Sequence, residues 1–368
     1  MRLVLFRTKG AVAKAPLHVG CMHPSGGVVD ISAAAADRGL APLSSMRVFL
    51  EMGDAGRALA ADALANGAYL RDAAHVELRA PIYDSEKVIC VGMNYADHCY
   101  EQGLPLPVEP VIFSKFPTSI AASGDPLVCP REVTQLDYEV ELAIVIGKEG
   151  RRIPVEAAMG HIAGFTVAHD VSARDWQLKK NGGQWLLGKC CDGFAPIGPS
   201  IVTPDEVGDV GNLRLRCLVN GVALQDGSTK ELVHKVEACV AWISKLVTLK
   251  PGDLILTGTP PGVGCFKKPE PLWLKVGDEV TVEIEKLGSI TNTVVCVFVL
   301  VASLRSRRPR APFAPIDTSY PHSTSRNAVP TIRKCTPPPF YIPYNYWLCI
   351  HTVVPAAPFP IREIKKNM

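Results

Sequence analysis

The sequence predicts an α+β chain, mainly β, with a few helices and a small N-terminal domain. Short aliphatic and β-branched runs recur through the first 295 residues, several of them alternating with polar residues at the period of a strand. An Asn220-Gly221 pair separates two such runs and is the strongest short hairpin signal in the chain. Helical spacing of apolar residues is confined to a few stretches, chiefly 46–65 and 237–247.

Bulk properties narrow the function classes. A chain of 368 residues holds one large or two ordinary domains with a real core. Its net charge of +3 is unevenly spread: from Cys296 onward ten Lys and Arg face only Asp317 and Glu363, which leaves the preceding body at −5. A mildly acidic body argues against nucleic acid as partner. The twelve cysteines form no CxxC pair, which suits free thiols in a reducing compartment. The opening MRLVLFRTKG carries neither a secretory signal nor an Arg-rich presequence pattern. The most apolar stretch, 294–302, is about half of what a membrane helix requires, so no membrane span is expected.

Residues 1–85 read as the small leading domain, with strands at 2–7 and 27–31 and a helix over 46–65 interrupted at Gly53. Residues 86–295 hold the candidate chemistry. KVICVG at 87–92 reads as a strand and runs into NYADHCYEQG, where His98 and Glu101 stand three apart. On a helical turn that spacing lets a carboxylate orient an imidazole as a general base for water, although the same pair also occurs on solvated helices. Gly92 before it and Gly103, Pro105 and Pro107 after it give the turn the anatomy of a lid. PVIFSKF at 110–116 adds a strand from which Lys115 projects.

The acidic stretch LDYEVELAIVIGK follows. Glu139 and Glu141 are two apart and share one face of a strand, and a second apolar run at 162–168 delivers His169 and Asp170 at its end. Three acids gathered on sheet residues repel one another unless a cation compensates them. An all-oxygen set suits Mg²⁺, Mn²⁺ or Ca²⁺ better than Zn²⁺. The competing structural account puts the two glutamates on the wet face of an amphipathic strand and makes Asp170 a helix cap. Arg174 and Gln177, four and seven residues past Asp170, would share a helical face with it, and Lys189 closes the QWLLGK run. A cation and an amide beside a metal serve an anionic, oxygen-rich substrate; structurally, Arg174 would instead pair with Asp175 or Asp192. DLILTGTPPGVG lacks the P-loop and dinucleotide signatures, leaving Thr257, Thr259 and the loop amides as donors for a small anion. VGDEVTVEIEKLGSITNTVV closes the body with alternating strands around Leu287-Gly288.

In combination and in this order, VGMNYADH, DYEVELAIVIGK, AGFTVAHDVSARDWQ, QWLLGK and ILTGTPPGVG resemble the fumarylacetoacetate hydrolase family, densely over about 80–295. The resemblance implies a mixed β-sandwich roll, a metal held by Glu139, Glu141 and Asp170, a lid dyad of His98 and Glu101, and a catalytic Lys189. It also implies substrate contacts from Arg174, Gln177 and Thr259, a small keto-acid substrate, a homodimer, and a mitochondrial location, with the cytoplasm as alternative. The subgroup nearest these motifs points to oxaloacetate keto-enol tautomerisation. Acylpyruvate or fumarylacetoacetate-type carbon–carbon hydrolysis and oxaloacetate decarboxylation stand as alternatives, and a catalytically impaired binding protein as one of another class. Three departures bear on this: Cys190-Cys191 where the family usually has Ser-Phe, Met93 where many relatives carry a basic residue, and LVHK at 232–235 in place of a commonly more apolar segment, a change that would bear on an edge or interface. Residues 296–368 hold twelve of the 31 prolines and read as a basic, disordered extension. Within it, Pro338-Pro339-Phe340-Tyr341 matches a WW-domain ligand, a match that a Pro-rich segment produces cheaply.

Overall fold

Val140–Ile146 is the strand around which the body is built, and every one of its residues is buried. In the computed structural model, which describes residues 1–296, it lies inside a twelve-stranded sheet. Ile162–His169 pairs antiparallel on one side of it and Leu254–Leu256 antiparallel on the other. Leu254–Leu256 runs parallel to Val88–Gly92, which pairs with the outer strand Val111–Lys115. On the far side Ile162–His169 pairs with Ala195–Val202, and Ala195–Val202 with Arg2–Thr8, so the sheet continues into the first residues of the chain.

A five-stranded sheet packs across this one. Leu215, Val280, Val282 and Ile284 from it share a core with Val140, Leu142, Ile144 and Ile146. The alternate residues Ala143 and Val145 enter a second core on the opposite face, with Val88, Cys90, Leu254 and Leu256. A strand covered on both faces reads as a continuous apolar run rather than an alternating one. The wet-face account of Glu139 and Glu141 therefore fails: both are buried, at 4% and 2% exposure.

Local signals account for the punctuation. The helix expected over 46–65 breaks at Gly53, whose φ of 57° a side chain would resist, into Met46–Glu51 and Asp54–Asn66. Asn220 and Gly221, both at positive φ, make the tight turn between Arg214–Val219 and Val222–Ser228. The helix read at 237–247 spans Val236–Ser244. The 232–235 segment is tied to Asn94, just ahead of the helix Ala96–Glu101: Val233 N donates to Asn94 O, and His234 N to Asn94 Oδ1. None of the helices among the described residues is long and apolar enough to cross a membrane. The basic tail after Cys296 and its Pro338–Tyr341 motif lie outside the described residues.

Candidate active site

The site forms where the central strand, its antiparallel neighbour and three loops meet. Glu139 and Glu141 project from the start of the central strand, and Asp170 follows the last residue of Ile162–His169, with Val140 opposite His169 in register. The three carboxylates are buried and can each present one oxygen within 4.8 Å of the others. Asp170 caps no helix: its N–H donates to Glu139 O at 2.9 Å.

The cations around these acids are held in place. Lys189 Nζ donates to Glu139 Oε2 at 2.6 Å and to Asp170 Oδ2 at 2.7 Å. Arg174 gives Nε to Asp137 Oδ2 at 2.8 Å, Nη2 to Glu139 Oε1 at 2.5 Å and Nη1 to Gln177 Oε1 at 2.9 Å. It pairs with neither Asp175 nor Asp192. Arg174 and Gln177 reach the site without the helical face the spacing suggested. Ser172–Ala173 is a short strand paired with Leu136–Asp137, and only at Asp175–Lys179 does the chain make one wide helical turn. Lys189 keeps its aim despite the two cysteines that follow, of which Cys190 is buried.

Two residues outside the sequence-derived set complete the electrostatics. Lys115 Nζ lies 2.7 Å from Asp170 Oδ1, but its donors go to the carbonyls of Val171, Lys189 and Phe194 at 3.0, 2.5 and 2.8 Å. Asp170 Oδ1 is thus left without a hydrogen bond. Asp137 accepts from Arg174 and from the backbone N–H groups of Gly264 and Cys265 at 2.7 and 3.0 Å. It was legible as the third member of the alternating series Asp137, Glu139, Glu141.

Among the described residues, four carboxylates (Asp137, Glu139, Glu141, Asp170) meet three cations (Lys115, Arg174, Lys189), and the deficit falls on Glu141. Its hydrogen bond comes from Gly258 N at 2.7 Å. Burial, and after it the charges of Asp170 and Glu139, push its carboxyl well above the ordinary range. For Glu139 burial acts in the same direction, but Arg174 and Lys189 outweigh it and hold that carboxyl low. Burial also opposes the charge on Lys189, yet Asp170 and Glu139 raise it further. A divalent cation fits here. Glu141 lacks a cationic partner, Asp170 Oδ1 accepts no hydrogen bond although the Lys115 ammonium lies 2.7 Å away, and the donor set is hard oxygen.

A short helix lies against this centre. On the helix Ala96–Glu101, His98 Nδ1 meets Glu101 Oε2 at 3.0 Å, and His98 is only 6% exposed. The His98 ring packs 5.9 Å from Phe266. With Nδ1 donating to a carboxylate, Nε2 is the ring's basic nitrogen. A cavity of about 70 Å³ lies between the dyad and the acids, lined on its polar side by Glu139, Glu141, Asp170, Arg174, Gln177, Lys189 and Thr259. The Gly-Pro loop is less free than the sequence suggested. Thr259 Oγ1 donates to Val140 O, and Gly262 N donates to Glu101, so these groups serve the protein's own acceptors rather than open solvent.

A mixed β fold with a buried three-carboxylate centre beneath a His–Glu lid defines a recognisable class. Residues 87–295 match the model of the fumarylacetoacetate (FAA) hydrolase C-terminal domain, and the chain belongs to the fumarylacetoacetate hydrolase family. It is 52% identical over 295 residues to human oxaloacetate tautomerase FAHD2A, mitochondrial, covering 80% of this chain and 92% of that protein. It is 50% identical over 296 residues to oxaloacetate tautomerase fahd2, mitochondrial, of Xenopus laevis, covering 80% and 90%. Among solved structures, maleylpyruvate hydrolase from Sphingobium sp. SYK-6, in complex with manganese(II) and pyruvate, superposes with a TM-score of 0.64 at 27% identity, over 80% of this chain and 99% of that one.

Proposed function

We propose that this chain is a divalent-metal-dependent oxaloacetate keto-enol tautomerase, mitochondrial and homodimeric as the family resemblance implies. The observation that carries it is one small cavity, with the buried Glu139, Glu141 and Asp170 set on one side and the His98–Glu101 dyad on the other. The names of the relatives that align over nine-tenths of their length agree with it. Glu139, Glu141 and Asp170 would hold Mg²⁺, Mn²⁺ or Ca²⁺, which when bound supplies positive charge for the oxygens of an α-keto acid.

The protein's own groups do the rest. Lys189 and Arg174 fix the carboxylates, and Gln177 fixes Arg174. The helix Ala96–Glu101 limits the access of water to the cavity. In ketonisation the enol O–H gives up its proton and C3 gains one; on this reading His98 Nε2 moves that proton, with Glu101 stabilising the imidazolium. Thr259 shapes the floor beside Glu141.

The same dyad favours a second reading. If His98 deprotonates a water that attacks a distal carbonyl, the carbon–carbon bond of an acylpyruvate breaks, and the solved maleylpyruvate hydrolase is a neighbour of that kind. Decay of the oxaloacetate enol absorbance and cleavage of an acylpyruvate, each with Mg²⁺ and with chelator, separate the two for wild type and Glu139→Ala. A chelator-sensitive rate on the enol that Glu139→Ala abolishes is expected. A rate on neither substrate would refute the enzyme reading and leave a binding protein with this fold.

A further inference from the structure

The lid helix ends in a residue that neither activity has used. Gln102 follows Glu101 as the helix cap and lines the cavity together with Met93. Its Nε2 donates to His98 O at 3.2 Å and to the Met93 thioether sulfur at 3.5 Å. The second contact is weak, because a thioether is a poor acceptor. Met93 has a φ of 56° that non-glycine residues seldom adopt, and its carbonyl accepts from Cys99 Sγ at 3.2 Å.

Among the described residues Gln177 Nε2 and Trp185 Nε1 donate to no acceptor, while the charged donors and the loop donors of the cavity are committed. Lys189 serves Glu139 and Asp170 and has the Phe113 ring 5.0 Å from its ammonium. Arg174 serves Asp137, Glu139 and Gln177; Thr259 serves Val140 O; Gly258 N serves Glu141. The remaining wall is apolar and tight. Met93, Phe113, Leu178 and Trp185 form it, and a Cβ on Gly92 would come within 2.7 Å of the Trp185 ring. A substrate whose far end carries a carboxylate meets no uncommitted cation on that side. It meets the Gln102 amide, next to His98.

We propose that Gln102 is a specificity-determining residue: its Nε2 leaves the Met93 sulfur to donate to the distal carboxylate of a short keto diacid. This rests on the keto-acid reading of the site and names which keto acid the lid selects. A carboxylate oxygen is a far better acceptor than a thioether, so the exchange is favourable, and the tight wall restricts it to short chains.

The test compares Gln102→Leu with wild type on Mn²⁺-loaded protein. Two probes share the keto-acid head and length, oxaloacetate and 2-oxobutanoate, and only the first has the distal carboxylate. Both are titrated calorimetrically, and KM and kcat for the oxaloacetate enol are measured beside them. Loss of one charge-assisted hydrogen bond should weaken oxaloacetate by about tenfold or more, leave 2-oxobutanoate within about twofold, and fall on KM rather than kcat. Met93→Leu, which removes the competing sulfur, should hold oxaloacetate at least as tightly as wild type. Equal weakening of both probes, or none of either, overturns the proposal, since damage to the lid would not distinguish them. Binding of neither probe to wild type overturns the keto-acid reading, and this one with it.

Discussion

Lys189→Met removes the cation that bridges two buried carboxylates while keeping most of the side chain's length. Lys189, Glu139 and Asp170 have side-chain exposures of 2%, 6% and 0%, and the two bonds measure 2.6 and 2.7 Å. Removing one partner of a buried ion pair costs about 3–5 kcal/mol, and because Glu139 keeps Arg174 and Asp170 keeps Lys115, the lower end of that range is expected. An unfolding entropy of about 2.1 cal/mol/K per residue gives roughly 0.6 kcal/mol/K for some 300 ordered residues, so the midpoint should fall by about 5 °C. The sign of the pH dependence follows from the linkage. Glu139 is depressed in the folded protein, so its stabilisation is present above the unfolded value near 4.5 and is lost as pH falls through the folded one. Lys189 is raised, so its share is present below about 10.5 and is lost as pH rises through its folded value. The deficit of the variant should therefore be full at pH 7 and shrink toward pH 4.5, where carboxylates that have lost one of their two cations can take up protons. Thermal melts in chelator at pH 7 and pH 4.5, repeated with Mn²⁺, measure it, and Mn²⁺ should restore a larger share in the variant than in wild type. A deficit independent of pH and of Mn²⁺ would mean that the loss is one of packing, and would refute the electrostatic reasoning.

Three further outcomes follow from the same geometry. His98→Ala should lower turnover by about 10²-fold or more while Mn²⁺ affinity stays within a few-fold, because the dyad lies across the cavity from the acids; a large loss of Mn²⁺ binding would contradict that division. His169 is fully buried with neither ring nitrogen partnered, and burial, then Lys115, lower its pKa to about 3. Folded His169 stays neutral where unfolded His protonates, so wild type loses about 2 kcal/mol between pH 6.5 and pH 5. His169→Leu should be free of that loss in acid melts. At Gly188 a Cβ would come within 2.5 Å of Gln177 N, so Gly188→Ala should cost about 1–3 kcal/mol in denaturant titrations and loosen the Gln177–Arg174 contact.

The sequence was legible where a local rule decides the outcome. Alternation put Glu139 and Glu141 on one side, Gly53 broke its helix, and Asn220-Gly221 turned its hairpin. It was less legible where a long-range contact decides. Spacing placed Asp170, Arg174 and Gln177 on a helix, but pairing of Ser172–Ala173 with Leu136–Asp137 overrides helical propensity there. The loop amides looked like anion donors, and only the fold brings Asp137, Glu141 and Glu101 up to them from 161 and fewer residues away.

The clue with most content was the absence of alternation in VELAIVI. A strand that stays apolar on both sides is covered on both sides, so any acid on it is buried and has to be compensated. Read that way, LDYEVELAIVIGK already demands cations from elsewhere in the chain, and two of the family motifs supply one each, Arg174 from ARDWQ and Lys189 from QWLLGK, while the strand Val111–Lys115 adds Lys115. This ties those two motifs to the acidic strand, so that they mean more together than singly. Their common requirement is charge balance around four carboxylates, and three side-chain cations leave Glu141 one short, at the place where a divalent ion fits.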